Sequence, residues 1–293
     1  MSRTSLKFPE VGDISGQVAV VTGGGTGIGL MISQGLIANG AKVYITGRRT
    51  NGLEEVAKSN AGLIPLLMDV TSKESIANAL KIIEDEDGKL NILVNNAEVV
   101  GPVASYVSNK FTPKNATLGA SLFKDQSFED WTSTFAANSS APFFVTCAFL
   151  ALLVKGARSR GPKETSSVIN ISSGWSNTKL SFGVFAYGVS KAALNHLTIN
   201  LVTEFARNNV PVRVDVFAAE NFPSEMSESD PEKVDKFASK PVFGGMNANP
   251  LKRAGRLIAP LVVLLSSAGG AFINGQIIEV DGGHNLVNPH SLS

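Results

Sequence analysis

Cysteine and histidine are scarce in this sequence. Among 293 residues there is one cysteine, Cys147, and there are three histidines, His196, His284 and His290. A single cysteine excludes an intrachain disulfide, and so few soft ligands do not supply a zinc-type cluster. We therefore expect chemistry without a metal, in a reducing cytoplasmic environment.

An excess of charge of either sign is also missing. Lysine and arginine number 26, aspartate and glutamate 25, and the basic residues form no dense run. Nothing here attracts a phosphate backbone or an anionic bilayer, so neither nucleic acid nor a membrane is an expected partner. Residues 1–13 lack the apolar segment of a secretory signal. The longest apolar stretch, Ala141–Val154, is shorter than a membrane span and predicts a buried helix.

Apolar residues, by contrast, are plentiful. They make up 43% of the chain, which at this length is enough to bury one sizeable core. We predict a single domain over residues 1–293 with an N-terminal arm over residues 1–16. Two irregular segments, residues 98–126 and 218–249, are rich in turn-forming residues and predict surface excursions near the functional site.

Short apolar runs alternate along the chain with helical patterns. The predicted strands are Gln17–Thr22, Lys42–Thr46, Gly62–Met68, Ile92–Val94, Ser167–Ile171, Val212–Phe217 and Gln276–Val280. The predicted helices are Ile28–Asn39, Leu53–Ser59, Ser72–Glu84, Thr134–Val154, Ala186–Arg207 and Leu257–Ser266. Uniformly apolar strands are typical of a sheet covered on both faces. The pattern predicts an α/β fold with a doubly wound, mostly parallel, seven-stranded sheet and helices on both faces.

A glycine-rich turn, Thr22-Gly23-Gly24-Gly25-Thr26-Gly27-Ile28-Gly29, joins the first predicted strand to the first long helix. Backbone N–H groups in such a turn, together with the helix N-terminus, hold a pyrophosphate. Glycines also make plain turns, but the strand before and the helix after favour nucleotide binding. The candidate contacts are Gly23, Thr26, Gly27, Ile28 and Gly29.

Two arginines, Arg48 and Arg49, follow the second predicted strand. A carboxylate at this place would accept hydrogen bonds from the ribose diol of NAD, whereas an arginine pairs with the additional phosphate of NADP. The alternative is a turn with two solvated arginines. Given the glycine-rich turn upstream, the pattern favours NADP(H), with Arg48 as the first contact.

A tyrosine and a lysine, Tyr187 and Lys191, are four residues apart on a predicted helix. They share a helix face, and an ammonium near a phenol favours the phenolate, so we expect Tyr187 to exchange protons near neutral pH. Ser173 ends the preceding strand and faces away from Ser172 because strand side chains alternate. Taken singly, Tyr187 would be an ordinary half-buried tyrosine and Ser173 a backbone cap; together they favour catalysis.

These motifs together resemble the short-chain dehydrogenase/reductase family, whose fold is of the Rossmann type. The likeness extends from about Val18 to Asp281, and the further matches are Asp69-Val70, Asn95-Asn96-Ala97, Asn138, Asn274-Gly275-Gln276 and Val280-Asp281-Gly282-Gly283. The resemblance implies that Asp69 and Val70 meet the adenine. It also implies that Asn96 and Ala97 line the cofactor and steady the sheet.

The resemblance also implies roles for the four presumed catalytic positions. Ser173 would hydrogen-bond a substrate carbonyl, Tyr187 would protonate its oxygen, and Lys191 would hold the ribose hydroxyls of the cofactor. Asn138 would tether a water that feeds the proton relay. The implied activity is NADP(H)-dependent reduction of a ketone in a small or mid-sized metabolite, by a homo-oligomer that is a tetramer or a dimer.

The segment from Asn221 to Met226 resembles a subgroup of fungal and bacterial reductases that includes 3-oxoacyl-thioester reductases and enzymes of secondary metabolism. This points to a carbonyl substrate of moderate size. Trp175, Phe182, Phe222 and Met226 either line an apolar pocket or belong to the core.

Glutamate replaces glycine at two cofactor-contact positions of the family. The usual Asn-Asn-Ala-Gly ends here in Glu98, and the usual Pro-Gly after the sixth strand is Ala219-Glu220. If both side chains point outward, little changes; if they point inward, a carboxylate weakens the binding of an anionic cofactor. Two other functions therefore stay open: a non-redox cyclase, isomerase or dehydratase with Glu98 and Glu220 as bases, or a catalytically silent binding protein.

Overall fold

The computed structural model describes residues 7–104, 116–220, 222, 230–239, 250–251 and 258–288. A single seven-stranded parallel sheet runs through it in the order β3-β2-β1-β4-β5-β6-β7. The strands are β1 (Val18–Thr22), β2 (Lys42–Gly47), β3 (Leu63–Leu67), β4 (Ile92–Asn95), β5 (Ser166–Ser173), β6 (Val212–Ala219) and β7 (Ile277–Val280). The predicted doubly wound sheet is confirmed.

Helices connect and cover the strands. In chain order they are α1 (Phe8–Val11), α2 (Gly27–Ala38), α3 (Thr50–Ser59), α4 (Lys73–Asp87), α5 (Ala116–Asp125), α6 (Phe128–Phe135), α7 (Ala141–Arg160), α8 (Phe185–Arg207), α9 (Pro231–Ala238), α10 (Ala259–Ser266) and α11 (His284–Val287). A π-helical turn, Ala136–Ser140, joins α6 to α7, and 3₁₀ turns lie at Gly174–Ser176 and Ala268–Gly270.

The sheet separates two hydrophobic clusters, one on each face. On one face Ile32 of α2 and Val262 of α10 pack against alternate residues of the central strands. On the other face Ile83 of α4, Phe149 of α7 and Leu201 of α8 do the same. Because β1 and β4 are buried on both sides, their residues are apolar without alternation up to the last one, Thr22 and Asn95 respectively. Such continuous apolar runs predict central parallel strands.

The two segments predicted to be irregular contain helices. The first includes α5 and the second includes α9, so the prediction of continuous loop over residues 98–126 and 218–249 is wrong in part. In both cases a short helical stretch follows residues rich in turn formers, and the surrounding composition outweighed the local pattern. Residues 105–115, 223–229 and 240–249 lie outside the described residues, as does Met226.

The longest helical run extends from α6 through the π-helical turn to α7. It is longer than the predicted Thr134–Val154, and by length and composition alone the run Phe128–Arg160 could cross a membrane. However, 56% of its apolar window is buried inside the protein, because α7 packs against α4, β4 and β5. The apolar stretch from Ala141 is thus a helix of the core, as its sequence predicts.

Candidate active site

The glycine-rich turn occupies the carboxyl end of β1 and is closely packed. Gly23 and Gly27 have φ angles of +63° and +49°, which residues with a side chain rarely adopt. A methyl group at Gly29 would lie 2.3 Å from the carbonyl oxygen of Gly23 and 2.5 Å from Nδ2 of Asn96. Glycine at these positions therefore lets the start of α2 lie directly against the end of β1.

The first turn of α2 is open to an anion. Thr26 is the N-cap in extended conformation, and its side chain accepts no hydrogen bond from the helix. Backbone N–H groups at a helix N-terminus that lack a capping side chain bind phosphate readily. Arg48 and Arg49, both exposed, follow the neighbouring strand β2. These residues fit the pyrophosphate and the additional phosphate of a dinucleotide.

Asp69, two residues beyond the end of β3, is held by hydrogen bonds within its own turn. Its Oδ1 accepts hydrogen bonds from the backbone N–H and the hydroxyl of Thr71, at 2.9 and 2.7 Å. These bonds, with a smaller contribution from the charge of Arg48, lower the pKa of the Asp69 carboxyl. Asp69 is thus an anionic turn residue at the same sheet edge, and Val70 beside it is partly buried.

The last residue of β4, Asn95, and the two that follow it tie the strand ends together. Asn96 Nδ2 donates to the carbonyl oxygens of Thr22 and Gly23, at 2.9 and 3.1 Å, and the N–H groups of Asn96 and Ala97 both donate to the Thr22 hydroxyl. Asn95 Nδ2 donates to Asn170 on β5 at 2.8 Å. These hydrogen bonds join the ends of β1, β4 and β5.

Tyr187 and Lys191 lie near the start of α8, one turn apart, with the lysine ammonium 5.6 Å from the centroid of the tyrosine ring. Lys191 is almost fully buried, and its Nζ donates to the carbonyl oxygen of Ile171 at 2.8 Å. The same Nζ forms a salt bridge with the carboxylate of Glu98. The Tyr187 hydroxyl donates to Oε2 of Glu98 at 3.2 Å. One carboxylate therefore contacts both residues.

The pKa of Tyr187 differs from the sequence-based expectation. Burial, followed by the charge of Glu98, raises the pKa of the Tyr187 phenol well above its ordinary value of 10.0, and a hydrogen bond with Ser173 only partly opposes this. The prediction that Lys191 favours the phenolate near neutral pH is therefore wrong for this state of the chain. It failed first because Tyr187 is buried, and second because the carboxylate of Glu98 lies beside it; the spacing of Tyr187 and Lys191 reveals neither.

The two serines at the end of β5 point to opposite faces. The Ser172 hydroxyl donates to the backbone carbonyl of Lys191 at 3.3 Å, whereas Oγ of Ser173 accepts from the N–H of Trp175 at 3.2 Å. Helix α8 covers the face of Ser172, but at the end of the strand Ser173 forms a hydrogen bond with the Tyr187 side chain. The structure therefore brings Ser173, Tyr187 and Lys191 together at the carboxyl end of the sheet.

Asn138 lies in the π-helical turn, and its buried side chain is occupied by protein groups. Oδ1 accepts from the N–H of Val99 at 2.9 Å, and Nδ2 donates to the carbonyl oxygen of Val99 at 2.8 Å and to Ser190 Oγ at 3.0 Å. Asn138 therefore clamps the chain just after Glu98. In the sequence, this role is indicated only by the asparagine itself, because an Asn side chain within a predicted helix tends to hydrogen-bond to backbone groups.

With this geometry in place, comparison with known proteins decides the family. The family model for the short chain dehydrogenases matches residues 17–235. This chain belongs to the short-chain dehydrogenase/reductase family. Enzymes of this family are oxidoreductases that bind a nicotinamide cofactor.

Several relatives of this short-chain dehydrogenase/reductase cover nearly its whole length. The short-chain dehydrogenase/reductase VdtF of Byssochlamys spectabilis is 34% identical over 314 residues, covering 99% of this chain and 100% of the relative. The rhamnolipids biosynthesis 3-oxoacyl-[acyl-carrier-protein] reductase of Pseudomonas aeruginosa is 29% identical, covering 93% and 98%. A solved RhlG/NADP active-site complex from Pseudomonas aeruginosa superposes with a TM-score of 0.75 at 26% identity, covering 94% and 98%.

Glu220, the second family departure, is buried just beyond β6. A methyl group at Gly174 would lie 3.0 Å from its Oε2, and that oxygen has no hydrogen-bond partner among the described residues. Oε1 lies 3.8 Å from Nε2 of His284. Burial, then the charge of Asp281, raises the pKa of Glu220 from 4.5 to about 7, while burial lowers the pKa of His284. The Glu220 carboxyl therefore changes its protonation state around pH 7, beside an imidazole whose neutral form is favoured by burial.

Glu220→Gln is expected to flatten the pH dependence of stability. Because the native carboxyl binds its proton more tightly than the unfolded one, Glu220 stabilises the fold below pH 4.5, and this contribution is lost as pH rises through about 7. The loss corresponds to roughly 3 kcal/mol at about 1.4 kcal/mol per tenfold change in proton affinity. Urea unfolding of both proteins from pH 4.5 to 8 measures it.

His284 acts in the opposite direction, because its lowered pKa favours the fold as pH rises, so only the difference between wild type and variant reports on Glu220. Equal pH slopes in the two proteins would contradict the prediction.

Two aromatic residues lie beside the tyrosine. The ring of Trp175 packs against Phe182, with 5.1 Å between centroids, and lies edge-on to Tyr187 at 6.2 Å. Phe182 has a φ of +49°, a strained backbone for a residue with a side chain, which is held by the surrounding structure. Phe222, by contrast, is buried in the hydrophobic cluster on one face of the sheet.

Proposed function

We propose that this chain is an NADP(H)-dependent reductase that converts a ketone of a small or mid-sized metabolite to an alcohol. The observation that carries the proposal is the arrangement of Ser173, Tyr187 and Lys191 at the same sheet edge as the uncapped N-terminus of α2. Proton transfer and dinucleotide binding are thereby combined at one place, as reduction of a carbonyl requires.

NADPH supplies a hydride to the carbonyl carbon when it is bound. The neutral phenol of Tyr187 donates its proton to the carbonyl oxygen, and Ser173 holds that oxygen with a hydrogen bond. Lys191, held by the carbonyl oxygen of Ile171 and paired with Glu98, would hold the ribose hydroxyls of the nucleotide. The residues that would hold the nucleotide are Gly23, Thr26, Gly27, Ile28, Gly29, Arg48, Arg49, Asp69, Val70, Asn96, Ala97, Tyr187 and Lys191.

The substrate class we propose is a 3-oxoacyl thioester or a related ketone of secondary metabolism. The bacterial relative named as a 3-oxoacyl-[acyl-carrier-protein] reductase supports this class, as does the apolar wall of Trp175 and Phe182 beside Tyr187. The proposal includes a homo-oligomer, dimer or tetramer. It is supported by the exposed apolar side chains of Phe143 and Phe144 on α7.

Arg48→Ala is expected to weaken NADPH binding by about tenfold or more, since a hydrogen bond to a charged group contributes about 1.5–3 kcal/mol. NADH lacks the additional phosphate, so its affinity should change little. Isothermal calorimetry with each nucleotide, on wild type and variant, measures both constants.

Arg49→Ala, which removes an exposed charge one residue further on, tests the second predicted phosphate contact in the same way. A larger loss in Arg49→Ala than in Arg48→Ala would reassign the phosphate contact. Absence of binding of either nucleotide to the wild type would refute the reductase proposal.

A second function is favoured by the two inward-facing carboxylates. Glu98 contacts the proposed proton donor, and Glu220 is buried with a pKa of about 7, a value suited to proton transfer. Such groups serve an isomerase, dehydratase or cyclase that needs no hydride. The calorimetric experiment separates the two functions, because the non-redox enzyme does not require NADPH.

A further inference from the structure

Glu98 lies inside the site and contacts both the ammonium of Lys191 and the hydroxyl of Tyr187. Its side chain is 18% exposed and that of its salt-bridge partner Lys191 is 2% exposed, so the pair is largely shielded from solvent. The same oxygen, Oε2, accepts the hydrogen bond from the Tyr187 hydroxyl. A surface ion pair would be weakened by water, but at this depth the charges act on each other with little screening.

The position of Glu98 is set by its two neighbours in the chain. On one side, the N–H of Ala97 donates to the Thr22 hydroxyl on β1 at 3.0 Å. On the other, Val99 is held at both its N–H and its carbonyl oxygen by Asn138. The backbone at Glu98 is therefore fastened to β1 and to the π-helical turn, and the carboxylate is directed at α8 by the fold itself.

The charges around Tyr187 oppose its ionisation. Among the described residues in contact with it, Glu98 after β4 and Lys191 on α8 carry charge, while Ser173 on β5 and Trp175 are neutral. The ammonium alone would favour a phenolate, but it is paired with Glu98. A phenolate would lose its hydrogen bond to Glu98 and lie against a carboxylate.

We infer that Glu98 is a positioning residue that neutralises Lys191 and keeps the proton on Tyr187, which commits the site to proton donation. The inference rests on the proposed function, in which Tyr187 is the donor. In the reduction, the Tyr187 O–H bond breaks as the O–H bond of the alcohol forms, and the carbonyl carbon takes the hydride of NADPH, which becomes NADP⁺. The reverse reaction needs a phenolate, which Glu98 disfavours.

The direct test is a spectroscopic titration of tyrosine ionisation in the nucleotide-free protein. The chain has only three tyrosines, so the difference between each protein and its Tyr187→Phe counterpart isolates Tyr187. Glu98→Gln, and Glu98→Gly in parallel, should move the ionisation midpoint of Tyr187 to lower pH. We expect at least about a tenfold higher phenolate fraction at a fixed alkaline pH below both midpoints.

Glu55→Gln on the exposed face of α3 is the matched control and should leave the midpoint in place. A midpoint that stays or rises in both Glu98 variants overturns the inference. If neither variant folds, the single variant Lys191→Met is compared with the double variant Lys191→Met/Glu98→Gln. The double variant removes both partners of the ion pair, so it leaves no unpaired buried charge at this pair. The double variant must then ionise at lower pH than the single one, and equal midpoints overturn the inference.

The titration is independent of nucleotide binding, so failure of the proposed function and failure of this inference are distinguishable. If the protein binds no NADPH but the Glu98 variants lower the ionisation midpoint of Tyr187, the reductase proposal is refuted and the assignment of Glu98 is supported. If the protein reduces ketones but the ionisation midpoint of Tyr187 does not change in the Glu98 variants, the reductase proposal is supported and the inference about Glu98 is refuted.

Discussion

Tyr187→Phe is expected to slow carbonyl reduction by about 10²–10⁴-fold, the usual contribution of a positioned general acid. The substitution removes only the hydroxyl that donates to Glu98, and it keeps the ring that packs against Trp175. NADPH affinity should fall by less than about tenfold, the equivalent of one hydrogen bond. Consumption of NADPH with an acetoacetyl thioester, together with calorimetric NADPH binding, separates the two effects.

Tyr44→Phe is the matched control for this experiment. Its hydroxyl also donates to a carboxylate, Asp87, at 2.6 Å, but it lies on β2 away from the proposed site. Reduction by Tyr44→Phe should equal that of the wild type. Wild-type turnover by the Tyr187→Phe protein would show that another group supplies the proton and that Tyr187 is not the proton donor.

Lys191→Met is expected to destabilise the protein by about 3–5 kcal/mol, the typical cost of removing one partner of a buried ion pair. The variant leaves the Glu98 carboxylate largely buried without its cation and leaves the carbonyl oxygen of Ile171 without its donor. Urea unfolding followed by circular dichroism measures the loss. Adding Glu98→Gln should recover a large part of it, because the carboxylate charge is then removed as well.

Lys81→Met is the control for loss of a lysine charge in general. Lys81 pairs with Asp85 on the exposed face of α4, and both side chains are well solvated, so no measurable change in stability is expected. If Lys191→Met and Lys81→Met behave alike, the Glu98–Lys191 pair is not buried in solution as the structure has it.

Much of the fold is predictable from local pattern. Strands β1 and β4 are continuous apolar runs and α2 follows a glycine-rich turn, so their types and order are encoded within a few residues each. The short helices α5 and α9 escape this prediction because each follows residues rich in turn formers, which outweigh a brief helical pattern. The seven-stranded order itself rests on right-handed crossovers and short connections, which leave few alternatives.

The sequence of this protein by itself determined the family, the doubly wound sheet and the presence of a serine, a tyrosine and a lysine with spacing suited to proton transfer. It also marked Glu98 and Glu220 as departures from the family pattern. Only the tertiary structure decided that both carboxylates point inward. The reason is that side-chain direction after β4 depends on distant partners: Asn138 clamps Val99, and Lys191 offers a buried cation, which no local pattern records.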